Sequence, residues 1–170
     1  MREDDEREEA WLRRAIELAS ENARRGGRPF GAVVAIDGEV VGEGVNRYVA
    51  DNDPTAHAEL MAIRAATGRL GTARLDGALL AASTEPCPMC QAAALLAGVG
   101  RIVFATTDRE AADRGYDARE VLADLGRPFS DRRVMPVRRL AIEDEPAPFE
   151  IAAAHAARRG SGGSARRRHV

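Results

Sequence analysis

Residues 78–105 limit the fold more than any other stretch of the chain. An apolar run, Ala78–Ser83, is followed by a segment with the pattern of a helix, Pro88–Ala97, and by a second apolar run, Arg101–Ala105. Pro88 suits the first turn of a helix, where its missing N–H does no harm, and Gly98 suits the helix end. A strand–helix–strand unit of this kind implies a parallel pair with a right-handed crossover.

The flanking segments fill in the other layers. Residues 6–25 read as an amphipathic helix, with Trp11, Leu12, Ala15, Ile16 and Ala19 on one stripe, Arg13, Arg14, Glu17 and Glu21 opposite, and Gly26-Gly27 closing it. Ala32–Ile36 and Glu39–Val45 are apolar runs joined by Asp37-Gly38, a strong hairpin signal. After a polar loop at 46–55, a helix is expected from about Ala56 to Thr67, started by Pro54 and Thr55 and burying Leu60, Ile63 and Ala66. Residues 108–125 look helical but irregular, Arg133–Ile142 resembles a strand, and Pro148–Arg159 a last helix. The order predicts an α/β fold, a three-layer α-β-α sandwich around a central mixed five-stranded sheet. Residues 1–159 are expected to form one domain, and 160–170 a flexible basic tail rich in Gly, Ser and Arg. Aromatic residues are only 4% of the chain, so the core must be aliphatic.

Charge and composition exclude several classes of function. All 25 basic residues are arginine, which leaves no lysine for a Schiff base or a phosphate-binding loop. A net charge of −2 gives no general attraction to nucleic acid, so a nucleic-acid partner is not expected. No segment reads as a signal peptide or membrane span. Two cysteines three positions apart cannot staple a secreted fold, so a cytoplasmic location is expected.

Those cysteines, Cys87 and Cys90, sit in Pro86-Cys87-Pro88-Met89-Cys90 at a strand-to-helix turn, where a helix N-terminus favours the thiolate. Alone, the pair suits a redox dithiol as well as a metal. His57-Ala58-Glu59 opens another expected helix; singly, its histidine and glutamate would read as ordinary helix-start residues. Taken together, two thiolates and a neutral imidazole cancel the charge of Zn²⁺ and leave a fourth tetrahedral position open, the arrangement of a catalytic rather than a structural site. His57, Cys87 and Cys90 are the candidate ligands of one zinc per subunit. Such a metal acidifies water near neutral pH. Glu59, close but not bound to the metal, is the candidate catalytic residue that moves protons to a ring nitrogen and a departing amine.

His-x-Glu followed by Pro-Cys-x-x-Cys is the pattern of zinc deaminases. The chain resembles the cytidine-deaminase-like superfamily, and within it the bacterial guanine deaminases, from about residue 8 to residue 150. The resemblance rests on Pro29-Phe30-Gly31-Ala32-Val33, on Asn52-Asp53-Pro54-Thr55-Ala56-His57-Ala58-Glu59, on Thr84-Glu85-Pro86-Cys87-Pro88-Met89-Cys90 and on Arg114-Gly115-Tyr116-Asp117. It implies a cytidine-deaminase-like fold, a homodimer, and a small nucleobase substrate contacted by Phe30, Asn46, Ala58 and Asp117, with Phe30 stacking on the ring and Asn46 hydrogen-bonding to it. Guanine leads, ahead of other aminopurines, cytosine-like bases and aminotriazines. The guanine deaminases carry a second acid where this chain has Ala118, and an aromatic C-terminal closure where it has Gly, Ser and Arg. Deaminases of the tRNA wobble adenosine share the zinc core and are the alternative; a zinc-stabilised or redox module is the non-enzymatic one.

Overall fold

The computed structural model describes residues 2–128, 131–140 and 147–159. The chain divides into two compact units, Met1–Leu122 and Ala123–Val170. The first contains helix α1 (Arg2–Arg24), strands β1 (Gly31–Ile36) and β2 (Glu39–Val45), helix α2 (Ala58–Leu70), strand β3 (Leu79–Thr84), helix α3 (Pro88–Ala97), strand β4 (Arg101–Thr106) and the short helix α4 (Asp108–Ala112). Helix α5 (Arg119–Leu125) runs over the division, and α6 (Ala147–Arg159) belongs to the second unit. The irregular helical stretch expected at 108–125 is thus two helices, α4 and α5.

The four strands form one mixed sheet in the order β2-β1-β3-β4. β1 pairs antiparallel with both β2 and β3, while β3 and β4 are parallel, as the strand–helix–strand run requires. Alternation along β1 splits the core in two. Val33 packs with Ala15 and Leu18 of α1 on one face, while Ala32 and Val34 pack with Ala58, Ala62, Ile63 and Ala66 of α2 and Ala94 of α3 on the other. That is the α-β-α layering, built on alanine and branched aliphatics.

α1 buries Ala15, Leu18 and Ala19, with Trp11 and Leu12 half-buried, whereas Ile16 is 43% exposed. Positions 11, 15 and 18 follow the helical period; Ile16 falls one step past that face. α2 begins at Ala58 rather than Ala56. The Asp53 carboxylate accepts hydrogen bonds from the Thr55 amide (2.8 Å) and hydroxyl (2.7 Å), locking a turn that delays the helix.

The expected fifth strand, Arg133–Ile142, is not present among the described residues: 133–140 form no strand, and 141–142 lie outside them. The amides of Arg133 and Val134 donate instead to the Asp124 carboxylate, at 2.9 and 3.1 Å. Pro136 has no N–H to offer a ladder. The 160–170 tail also lies outside the described residues. No described helix is long and apolar enough to cross a membrane.

Candidate active site

The register of the sheet brings the site residues to one end. Gly31 pairs with Val45, so the residues just beyond them, Phe30 and Asn46, are neighbours, joined by the Asn46 amide donating to the Phe30 carbonyl at 3.0 Å. Ala32 pairs with Ala82, which sets Phe30 near the exit of β3, and Thr84 pairs with Thr106 at the exit of β4. The carboxyl ends of parallel strands are where α/β sheets place ligands. Here they open on a cavity of about 450 Å³.

Two helix N-termini point into that end. His57 is the N-cap of α2 and Cys87 the N-cap of α3; neither side chain caps its own helix. Cys90 follows one turn into α3 and is fully buried. Cys87 Sγ, Cys90 Sγ and His57 Nδ1 form a triangle with all three sides 3.6 Å. Tetrahedral bonds of about 2.3 Å to sulfur and about 2.0–2.1 Å to nitrogen set neighbouring donors about 3.5–3.8 Å apart. The triangle therefore has the size of one face of a zinc tetrahedron, and the S, S, N donor set fits that ion.

Titration in the site reflects this crowding. Cys87 is held down to about 4, first by the hydrogen bond from Cys90 and then by that with His57. Cys90 is pushed up by the same bond to Cys87 and by burial. His57 is raised by its hydrogen bond to Cys87. Glu59, 8% exposed, has its carboxyl raised chiefly by burial, with the Cys87 charge adding to it.

The remaining expected residues divide. Phe30 lines the cavity and meets Tyr116 edge-on, with ring centroids 5.1 Å apart at 82°. Asn46 is 5% exposed and lines the cavity; its Oδ1 accepts from the Tyr48 amide at 3.1 Å, and no described group takes the hydrogens of its Nδ2. Asp117 lines the cavity but is engaged by Arg119, which donates from Nε at 2.9 Å and from its terminal nitrogen at 2.6 Å. That hydrogen bond holds the Asp117 carboxyl at about 2. Ala118 lines the cavity as well. Ala58 differs: its side chain is fully buried in the core, outside the cavity lining.

Sequence reasoning missed Arg28, Gln91 and Arg119, all in the cavity lining. Gln91 donates to the Pro86 carbonyl at 2.7 Å and so braces the turn that carries Cys87. Its place in the turn after Cys87 is the one signal that pointed to it.

Fold and site together define a zinc-dependent deaminase. Residues 5–106 match the model of the cytidine and deoxycytidylate deaminase zinc-binding region, and the chain belongs to that family. It is 38% identical over 143 residues to the guanine deaminase of Bacillus subtilis, covering 84% of this chain and 91% of that protein. The crystal structure of that enzyme superposes with a TM-score of 0.83 at 34% identity, over 95% of this chain and 98% of that one. The tRNA-specific adenosine deaminase of Bacillus subtilis is 39% identical over 101 residues, 59% of this chain and 63% of that protein. A guanine deaminase structure from Nitrosomonas europaea matches with a TM-score of 0.60 at 33% identity, over 64% of each chain.

Proposed function

We propose that the protein hydrolyses the exocyclic amine of a free nucleobase-like ring, guanine first, and releases ammonia. One observation carries the reading: a buried glutamate lies two residues from a zinc-sized donor triangle, at the wall of a cavity large enough for a base. His57, Cys87 and Cys90 would hold a zinc ion, which would supply water acidified to near neutral pH. Glu59 takes a proton from the attacking water and passes it to the ring nitrogen as the new C–O bond forms. It then transfers the second proton to the amine, the C–N bond breaks, and ammonia leaves with the ring carbon now a carbonyl. Burial raises the Glu59 carboxyl above its usual range, the direction that favours its carrying a proton. Phe30 stacks on the ring, and Asn46 offers it the free N–H hydrogens of its amide. Asp117 belongs to the substrate wall, with its charge committed to Arg119.

The guanine deaminase match supports a free base over tRNA, because it extends over 84% of the chain while the tRNA deaminase match covers 59%. All of these residues lie in the unit Met1–Leu122, to which we assign the activity. We also propose a homodimer. Leu95 and Leu96 on α3 and Phe104 on β4 are 76%, 58% and 42% exposed, an apolar surface that suits a second copy. Neither cysteine is in a disulfide, which leaves both sulfurs available to a metal.

Ammonia release from guanine, cytosine, an aminotriazine and a tRNA anticodon stem-loop tests the reading. Turnover of a free base with the stem-loop untouched is the expected result; inosine in the RNA with every base inert replaces it with the tRNA reading.

A further inference from the structure

Arg28 belongs to the cavity lining and, among the described residues, makes no ion pair. It is half-buried, and among the described residues no carboxylate or carbonyl accepts from its guanidinium. The group lies instead over the ring of Tyr48, 4.0 Å from the centroid. Contact with an aromatic ring engages the cation while leaving the N–H donors of the guanidinium unused. The backbone around it is anchored: the Arg28 carbonyl accepts from the Phe30 amide and from Asn22 Nδ2, both at 2.8 Å. Tyr48, in turn, gives its amide to Asn46 Oδ1 at 3.1 Å, so the Arg28 support and the Asn46 amide are parts of one assembly.

Two residues of the cavity lining, Arg28 and Asn46, thus carry side-chain N–H groups that no described residue accepts from. Two acids of the lining are already engaged. Asp117 is taken by Arg119, position 118 is an alanine, and Glu85 accepts from the Asp108 amide at 3.1 Å. Asp108 also lines the cavity. We infer that Arg28 determines specificity by hydrogen-bonding an oxo oxygen on the substrate ring, so that the protein selects aminated rings that also carry an oxo group over rings that carry amines alone. The inference rests on the base-deaminase reading above and names its substrate class.

The two probes are guanine and 2,6-diaminopurine, which differ in bearing an oxo or an amino group at ring position 6. Their affinities are measured calorimetrically on zinc-loaded Glu59→Gln protein, which holds the ring without turning it over, with and without a second change, Arg28→Leu or Arg28→Lys. Losing a charged hydrogen-bond donor weakens binding by about tenfold or more. Arg28→Leu is expected to weaken guanine by that factor, to leave 2,6-diaminopurine within about twofold, and Arg28→Lys to restore part of the loss. Equal losses for both rings show that Arg28 serves only to hold Tyr48 and its loop, and overturn the inference; so does no loss for either. Turnover of guanine by the unmodified protein separates the two levels. Its absence, with every other base inert, overturns the base-deaminase reading itself.

Discussion

Gly44 of β2 lies against the backbone carbonyl of Ala58 and the amide of Ala62, closer than any side chain at position 44 allows. Gly42 repeats the contact one turn along, against the carbonyl of Ala62. These two glycines let α2 rest directly on the sheet, and Ala58 stands between His57 and Glu59. The closeness of helix to strand therefore sets the depth of both functional side chains.

Gly44→Ala is expected to push the first turn of α2 outward, cost about 1–3 kcal/mol by overpacking, and weaken zinc retention and turnover together. Gly68, on the same helix, has nothing within 4 Å of a Cβ at its position. Gly68→Ala is expected to stabilise the protein slightly, since glycine inside a helix is about 1 kcal/mol worse than alanine. Thermal melts with zinc analysis check both; equal, small effects of the two changes contradict the account.

Phe30→Ala is expected to lower kcat/KM by about one to two decades, because base stacking on an aromatic ring contributes roughly 1–3 kcal/mol. The Phe30 ring also abuts Tyr116, so part of the loss reflects a looser wall. Steady-state kinetics on the best base decide it. A change below twofold removes Phe30 from the substrate's surroundings.

Gln91→Leu deprives the Pro86 carbonyl of its hydrogen bond just before Cys87. Groups that brace metal ligands typically alter affinity by about 10–100-fold when lost, and the lower end is expected here. Competition against a coloured zinc chelator reads the change. Unaltered affinity shows that Pro88 and the helix alone hold the turn.

Much of this arrangement is legible in the residues themselves. Pro88 and Gly98 bracket α3 because the first tolerates a missing donor and the second takes the left-handed conformation, φ 82°, that ends the helix. Asp37-Gly38 announces the β1–β2 hairpin in the same way, with both residues at positive φ. The donor triangle was legible because its residue types and helix-start positions are local properties. Residues 133–140 were not, because the competitor for the amides of Arg133 and Val134, Asp124, lies in the preceding helix, outside the segment, and no alternation of apolar residues reports it. Ile16 was misplaced because neighbouring positions on a helix differ by only part of a turn, and the face that wins is chosen by Val33 and Leu79 of the sheet. Arg28 and Arg119 escaped notice because a chain with so many arginines gives no sign of which ones fold into a cavity wall.

The central claim is that Glu59 moves the protons at a zinc held by His57, Cys87 and Cys90. It is tested most directly by measuring zinc content and ammonia release together in the unmodified protein and in Glu59→Gln. The account predicts about one zinc per chain in both proteins, unchanged far-UV circular dichroism, and loss of nearly all turnover in the variant, since a neutral amide cannot accept and return a proton. A variant that keeps its zinc and a large fraction of the original rate would contradict it.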